Sequence, residues 1–109
     1  MALPRIHRLV LSQQKVRTLR KTGKKIHTSF LTAFLNTGNE ARFAIVVGTN
    51  ISKKATVRNK VRRQIQQEIM LSLPKDMKVD MMIYPKSTIV GKPAAEIKKE
   101  ISSLFQKIA

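Results

Sequence analysis

Positive charge is concentrated in the segment TVRNKVRRQIQQEI, near the middle of the chain. The segment contains Arg58, Lys60, Arg62 and Arg63, and its first acidic residue is Glu68. Arginine presents a planar set of donors that can bind a phosphate through two hydrogen bonds or stack on an exposed base. A solvated helix face usually mixes both signs of charge, whereas no acid pairs with these cations at helical spacing. The segment therefore favours binding of a polyanion.

Apolar residues recur in the same segment. Val57, Val61, Ile65 and Ile69 are spaced by four, and at 3.6 residues per turn they stay on one face of a helix. Burial of that face leaves the cations on the other side. Asn59 stands among the cations although its helix propensity is modest. Its amide could contact a base edge, a ribose 2′-hydroxyl or a local backbone group, or it could cap the start of the helix, and the helical pattern does not choose between these roles.

The chain as a whole is strongly basic. Its 109 residues have a formal net charge of +16, and residues 1–63 hold 15 Lys and Arg against one acid. Such self-repulsion opposes compaction, so the charge indicates a polyanionic partner, either nucleic acid or an anionic membrane surface. The basic helix lacks Trp and a broad apolar face, which favours nucleic acid. A hydrophobic content of 42% predicts one modest core and a single compact domain over residues 1–109.

Residues that could catalyse a reaction are sparse. His7 and His27 are isolated in basic surroundings, where solvation or phosphate contact is their expected role. The sequence has no paired carboxylates, no Gly-rich phosphate loop, no nucleophile motif and no Cys. We therefore expect the protein itself to have no catalytic residue, no metal ligand and no bound cofactor. No stretch approaches the roughly 18 apolar residues of a membrane span. We also expect no signal peptide and a cytoplasmic location.

Three helices are predicted from caps and periodicity. The first begins after Ser12, ends at Gly23 and carries few apolar residues. The second is the basic helix, from about residue 56 to residue 73, where Pro74 stops it. The last helix follows Pro93 and carries an amphipathic stripe formed by Ile97, Ile101, Leu104, Phe105 and Ile108.

Three strands are predicted over residues 29–35, 42–48 and 78–84. The turn NTGNE separates the first two by so few residues that we predict an antiparallel hairpin. Phe30 and Phe34 alternate on one face of the first strand, either as a stacking platform for single-stranded nucleic acid or as core residues, and periodicity alone favours the core. The element order α-β-β-α-β-α predicts an α+β domain with helices covering one sheet face.

The segment AIVVGTNISKKATVRNKVRRQI resembles the signature of the protein component of bacterial ribonuclease P. In that family a strand leads through a basic connection into a helix with an Arg-Asn-Arg motif. Arg58, Asn59 and Lys60 match it, with lysine in place of the second arginine. Further similarities follow in order along nearly the whole chain: HRL near the start, a short helix ended by Gly23, ARFAIVV, DMMIYP and a final amphipathic helix.

The resemblance implies a ribosomal protein S5 domain 2-like fold with a left-handed βαβ crossover. It implies two partners, the catalytic RNA of ribonuclease P and precursor tRNA, and no DNA partner. In this family the RNA hydrolyses the precursor to release the mature 5′ end, using Mg²⁺ in the RNA-containing holoenzyme. The protein binds that RNA and the 5′ leader of the substrate.

The resemblance also implies two groups of site residues. The group expected to contact the catalytic RNA, called the basic surface below, consists of Lys53, Lys54, Arg58, Asn59, Lys60, Arg62 and Arg63. The group expected to line the leader cleft consists of Arg8, Lys15, Val16, Arg20, Phe30 and Phe34.

The sequence departs from the family pattern at two places. Val16 and Arg20 stand where the family's first helix usually places aromatic residues in the leader cleft. Thr49 and Asn50 stand where a pair of lysines is common. These departures change the expected chemistry of the leader cleft and leave the expected assembly with RNA intact.

Overall fold

A mixed four-stranded sheet and three α-helices form one α+β domain in the computed structural model of the chain, which describes residues 7–9 and 11–108. The ends of the predicted domain, residues 1–6 and 109, lie outside the described residues. The helices are α1 (Gln13–Thr22), α2 (Ala55–Ser72) and α3 (Ala94–Ile108). The strands are β1 (Lys24–His27), β2 (Leu31–Thr37), β3 (Arg42–Ile45) and β4 (Val79–Pro85).

The strand order is β1-β2-β4-β3, so the predicted hairpin between β2 and β3 is wrong. Strand β4 lies between them, antiparallel to β2 and parallel to β3, and α2 forms the crossover of a β3-α2-β4 unit. The physical reason is burial: Met81, Met82 and Ile83 are consecutive and fully buried. Only a central strand covered on both faces accepts such a run. The left hand of the crossover stays a prediction.

Strand β1 lies in a segment where no strand was predicted. Its sequence KKIH buries only Ile26, and its lysines suit a solvent-exposed sheet edge. The element order is therefore α-β-β-β-α-β-α. The strand predicted over 29–35 begins at Leu31, and the one predicted over 42–48 ends at Ile45.

The main core lies on the sheet face covered by α2 and α3. From α2 it takes Val61, Ile65 and Ile69, which confirms the predicted apolar stripe except at the half-buried Val57. From α3 it takes Ile97, Ile101, Leu104 and Phe105, as predicted, and the fifth residue of the predicted stripe, Ile108, is half-buried against it.

A smaller apolar contact lies on the opposite sheet face. Leu19 of α1 and Met82 of β4 are fully buried but do not belong to the main core cluster. Helix α1 packs against β2 and β4 on this side. It ends at Gly23 as predicted, and a side chain at that position would collide with the carbonyl oxygen of Leu19. We call this side of the sheet the cleft face.

Glu68 of α2 is buried, with 6% of its surface exposed, and its Oε2 atom has no hydrogen-bond partner among the described residues. A buried polar atom without a partner costs free energy because its hydration is not replaced. We expect Glu68→Met to raise the free energy of unfolding by about 1 kcal/mol or more, measured by urea denaturation. The control Gln67→Met, at an exposed neighbour, should change it by less than about 0.5 kcal/mol. A less stable Glu68→Met protein would contradict the prediction.

Candidate RNA interface

Arg58 links the segment that precedes α2 to the first turns of that helix. Helix α2 has Lys54 as its N-cap residue, and no side chain caps it. The guanidinium of Arg58 donates from Nη1 to the carbonyl oxygens of Ser52 and Lys53, at 3.0 Å each. Arg58 therefore has a structural role, because it holds the neighbouring lysines in a defined position at the helix start.

Asn59 lies in the second turn of α2, so the capping hypothesis for it is wrong. Its Oδ1 atom accepts a hydrogen bond of 2.8 Å from Nη1 of Arg62, one turn further along. This contact restricts the guanidinium of Arg62 without neutralising it. The uncharged amide thus orients the guanidinium of Arg62 and leaves its positive charge in place. A carboxylate at position 59 would have neutralised that charge.

The remaining cations of the basic surface point to solvent. Lys53, Lys54, Lys60 and Arg63 are exposed and Arg62 is half-exposed, whereas Val61 beside them is buried. Among the described residues, no acidic side chain forms an ion pair with these cations. These five cations thus keep their positive charge at the surface of the described residues, and their contact with RNA stays a prediction.

Two polar contacts and one apolar contact hold α1 on the cleft face. Nζ of Lys15 lies 3.0 Å from Oδ2 of Asp80 in β4. Nη2 of Arg20 donates to Oη of Tyr84 at 3.0 Å. The apolar contact is made by Leu19, which is fully buried. Lys15 and Arg20 therefore face the sheet, and the half-buried Val16 lies one turn before Leu19 and Arg20. Contact of these three residues with a leader stays a prediction.

Leu19→Ala should detach α1, because Leu19 is the only buried residue of that helix. The ion pair of Lys15 with Asp80 is partly exposed and the Arg20 contact is exposed, so each adds little to stability on its own. We expect amide hydrogens across α1 to exchange at least about tenfold faster, with little change in α2. Hydrogen-exchange mass spectrometry measures both helices in one experiment. Equal acceleration in α2 would show instead that the substitution destabilises the whole domain.

Phe30 and Phe34 do not share a surface, which corrects the predicted alternation on one face. Phe34 lies on the cleft face, where its ring meets the ring of Tyr84 edge to face at 5.8 Å. Phe30 precedes β2, packs against the main core and lines a groove with α3, and Nζ of Lys92 lies 5.5 Å from its ring centre. The alternation rule fails because Phe30 stands before the strand begins.

Arg8 lies at the β3 edge of the sheet. It forms an isolated parallel bridge with Phe43, and the amide of Leu9 donates to the carbonyl oxygen of Phe43 at 2.9 Å. His7 is anchored nearby through Nδ1, 2.8 Å from the carbonyl oxygen of Ala41. Leu9 and Lys15 line one depression, so this segment borders the cleft face.

The cleft face also contains residues that were not predicted to belong to a site. Tyr84 pairs across the sheet with Thr32, and Lys25 pairs with Phe34. The signal was the alternation of Asp80, Met82 and Tyr84 in KVDMMIYP, which places all three on one face of a strand. This alternation did not indicate a site, because the strands that lie beside β4 were not known from the sequence.

Within the described residues, no group of three His, Cys, Asp or Glu is placed to hold a metal ion. No helix in that part of the chain is both long and apolar enough to cross a membrane.

Comparison with known proteins identifies the relatives of this chain. The ribonuclease P protein component of Microcystis aeruginosa is 39% identical over 80 residues, which span 68% of this chain and 66% of that protein, just under two thirds of its length. The ribonuclease P protein component of Rickettsia canadensis is 27% identical over 109 residues, spanning 88% of this chain and 92% of that protein.

Solved structures show the same fold. The RNase P protein from Thermotoga maritima aligns with a TM-score of 0.81 and 20% identity, covering 94% of this chain and 97% of that one. A family model described as Ribonuclease P matches residues 3–109. Because that match spans nearly the entire chain, the protein belongs to the ribonuclease P protein family.

Proposed function

We propose that the protein is the subunit of ribonuclease P that assists a catalytic RNA in the endonucleolytic removal of the 5′ leader from precursor tRNA. The observation that carries the proposal is the presence of two cationic surfaces on opposite faces of one sheet. The basic surface lies on α2, over the main core, and the second lies on the cleft face beside α1. Two separate surfaces suit a protein that contacts two RNA partners at once.

The basic surface is assigned to the catalytic RNA. Exposed lysines and arginines bind phosphates irrespective of sequence and displace condensed counterions. Arg62, oriented by Asn59, supplies a fixed guanidinium to a phosphate or a base edge. The protein contributes binding and orientation, and hydrolysis is assigned to the RNA.

The cleft face is assigned to the leader. A single strand has accessible phosphates and bases, and Lys15, Arg20, Lys25, Phe34 and Tyr84 form a cationic and aromatic surface for it. Mg²⁺ would be held by the RNA of the holoenzyme. Positive charge beside the leader reduces repulsion between RNA strands, so less Mg²⁺ should suffice for substrate binding.

A cleavage assay tests the proposal. The protein is added to the ribonuclease P RNA of its own source, and release of the leader is followed at low, near-physiological Mg²⁺. We expect strong stimulation by this protein and none by an unrelated basic protein of equal charge. If the matching RNA is not stimulated, the proposal fails.

A general RNA chaperone or ribosomal protein is the competing function, because the basic surface alone would suit many RNAs. Such a protein would bind precursor and mature tRNA equally in the presence of the catalytic RNA. The proposed subunit should prefer the precursor, because only the precursor has a leader for the cleft face.

A further inference from the structure

Cations cover the aromatic rings of the cleft face. The guanidinium carbon of Arg20 lies 5.2 Å from the centre of the Tyr84 ring, and Nζ of Lys25 lies 5.5 Å from the centre of the Phe34 ring. The two rings meet edge to face, with an interplanar angle of 89°. Each ring is therefore engaged by a cation and by the other ring.

Tyr84 is also held from the sheet side. Its Oη atom donates to Sδ of Met82 at 3.3 Å, and Met82 is fully buried. Phe34 and Tyr84 are only half-exposed, whereas Arg20 and Lys25 are exposed. In this part of the cleft face, the cationic groups are thus more exposed to solvent than the aromatic rings that they cover.

A base and a phosphate would meet different obstacles to binding at Tyr84 and Arg20. A nucleobase that stacks on Tyr84 must first displace Arg20, with loss of its ring contact and its hydrogen bond. A phosphate can bind Arg20 where it stands. A guanidinium has five N–H donors, and the hydrogen bond to Tyr84 uses one of them.

We propose that the cleft holds its RNA strand through phosphates and discriminates little among bases, and that Arg20 is the residue that sets this preference. The proposal rests on the function proposed above, in which the strand is the 5′ leader of precursor tRNA. It assigns to Arg20 two simultaneous contacts, one with the Tyr84 ring and one with the leader backbone.

Removing the bases from the leader tests the proposal. The assembled holoenzyme is titrated with precursor tRNA, with precursor tRNA whose leader nucleotides are abasic, and with mature tRNA. We expect the abasic leader to weaken binding by less than about threefold, while both precursors bind more tightly than mature tRNA.

Arg20→Phe should reverse this behaviour, because it removes the charge and offers a ring that a base can stack on. For this variant the abasic leader should bind about tenfold or more weakly than the natural leader. Arg17→Ala removes an exposed arginine from the same helix and is the matched control; it should discriminate as the unmodified protein does. Circular dichroism melting confirms that both variants fold.

The outcomes separate the two proposals. If the holoenzyme prefers precursor over mature tRNA only when the leader has bases, the phosphate-binding proposal is overturned and the proposed function stands. If it never prefers the precursor, the proposed function fails and the cleft proposal fails with it. If the Arg20→Phe variant binds the natural and the abasic leader with affinities as similar as those of the unmodified protein, Arg20 does not set the preference.

Discussion

Replacement of Lys60, Arg62 and Arg63 by alanine is expected to weaken binding of the ribonuclease P RNA by at least about tenfold at roughly 0.15 M salt. The three side chains lie on the solvent side of α2, and no acid among the described residues neutralises them. The slope of log K against log salt is negative, and each lost phosphate contact should reduce its magnitude by about 0.7–0.9. The loss of three contacts should therefore reduce it by about 2.1–2.7. Binding titrations at several KCl concentrations measure both quantities.

The control for this variant removes the same charge elsewhere. Lys98, Lys99 and Lys107 of α3 are exposed, and their replacement by alanine lowers the net charge equally. We expect this control to retain most of the salt slope. Equal losses in the two variants would mean that the RNA responds to total charge and that α2 is not the contact surface. Arg58 is left in place because it holds the carbonyl groups of Ser52 and Lys53.

Ile65→Ala is expected to lower the free energy of unfolding by about 2–5 kcal/mol, a large part of the roughly 5–15 kcal/mol typical of a domain. Ile65 is fully buried in the main core, so its truncation removes apolar contacts and leaves a cavity. Urea denaturation measures the loss. Because the buried and basic faces of α2 are separate, the salt slope of RNA binding should be unchanged where the variant is still folded.

The conservative change Ile65→Val calibrates this result. Loss of one methyl group should lower the free energy of unfolding by only about 0.5–1.5 kcal/mol. A loss below about 1 kcal/mol for Ile65→Ala itself would contradict the assignment of this residue to the core. A changed salt slope in either variant would show that the two faces of α2 are coupled.

Several features could be predicted from local sequence alone. The spacing of Val61, Ile65 and Ile69 predicted which face of α2 is buried, and the α3 stripe was confirmed in the same way. The ends of α1 and α2 were predicted to within about two residues from Ser12, Gly23 and Pro74. These features are local because a helix closes its hydrogen bonds within four residues.

Hydrogen bonds between side chains one helical turn apart were harder to predict from the sequence. The Asn59–Arg62 hydrogen bond spans three residues, a spacing at which side chains on a helix meet. The sequence left Asn59 with several possible roles because an amide can bond to backbone, side chain or ligand alike. The structure selects one partner for it, and its contact with RNA stays a prediction.

Strand pairing was decided by the tertiary structure. The sequence placed strands close to β2, β3 and β4, yet it suggested the wrong neighbour for β2 and missed β1. A strand forms its hydrogen bonds with other segments of the chain. Which strands pair therefore depends on which strand is buried on both faces. The consecutive burial of Met81, Met82 and Ile83 places β4 at the centre, and no short-range pattern in β2 or β3 reveals this.

The sequence by itself thus determined the basic character of the protein, its helices and its two-faced α2, since charge and helical period are properties of neighbouring residues. The tertiary structure alone brought Arg20 of α1 onto Tyr84 of β4, 64 positions away, and separated Phe30 from Phe34. The reason is that the cleft face is made across strands and between a helix and a sheet. Its chemistry depends on contacts that exist only after the chain has folded.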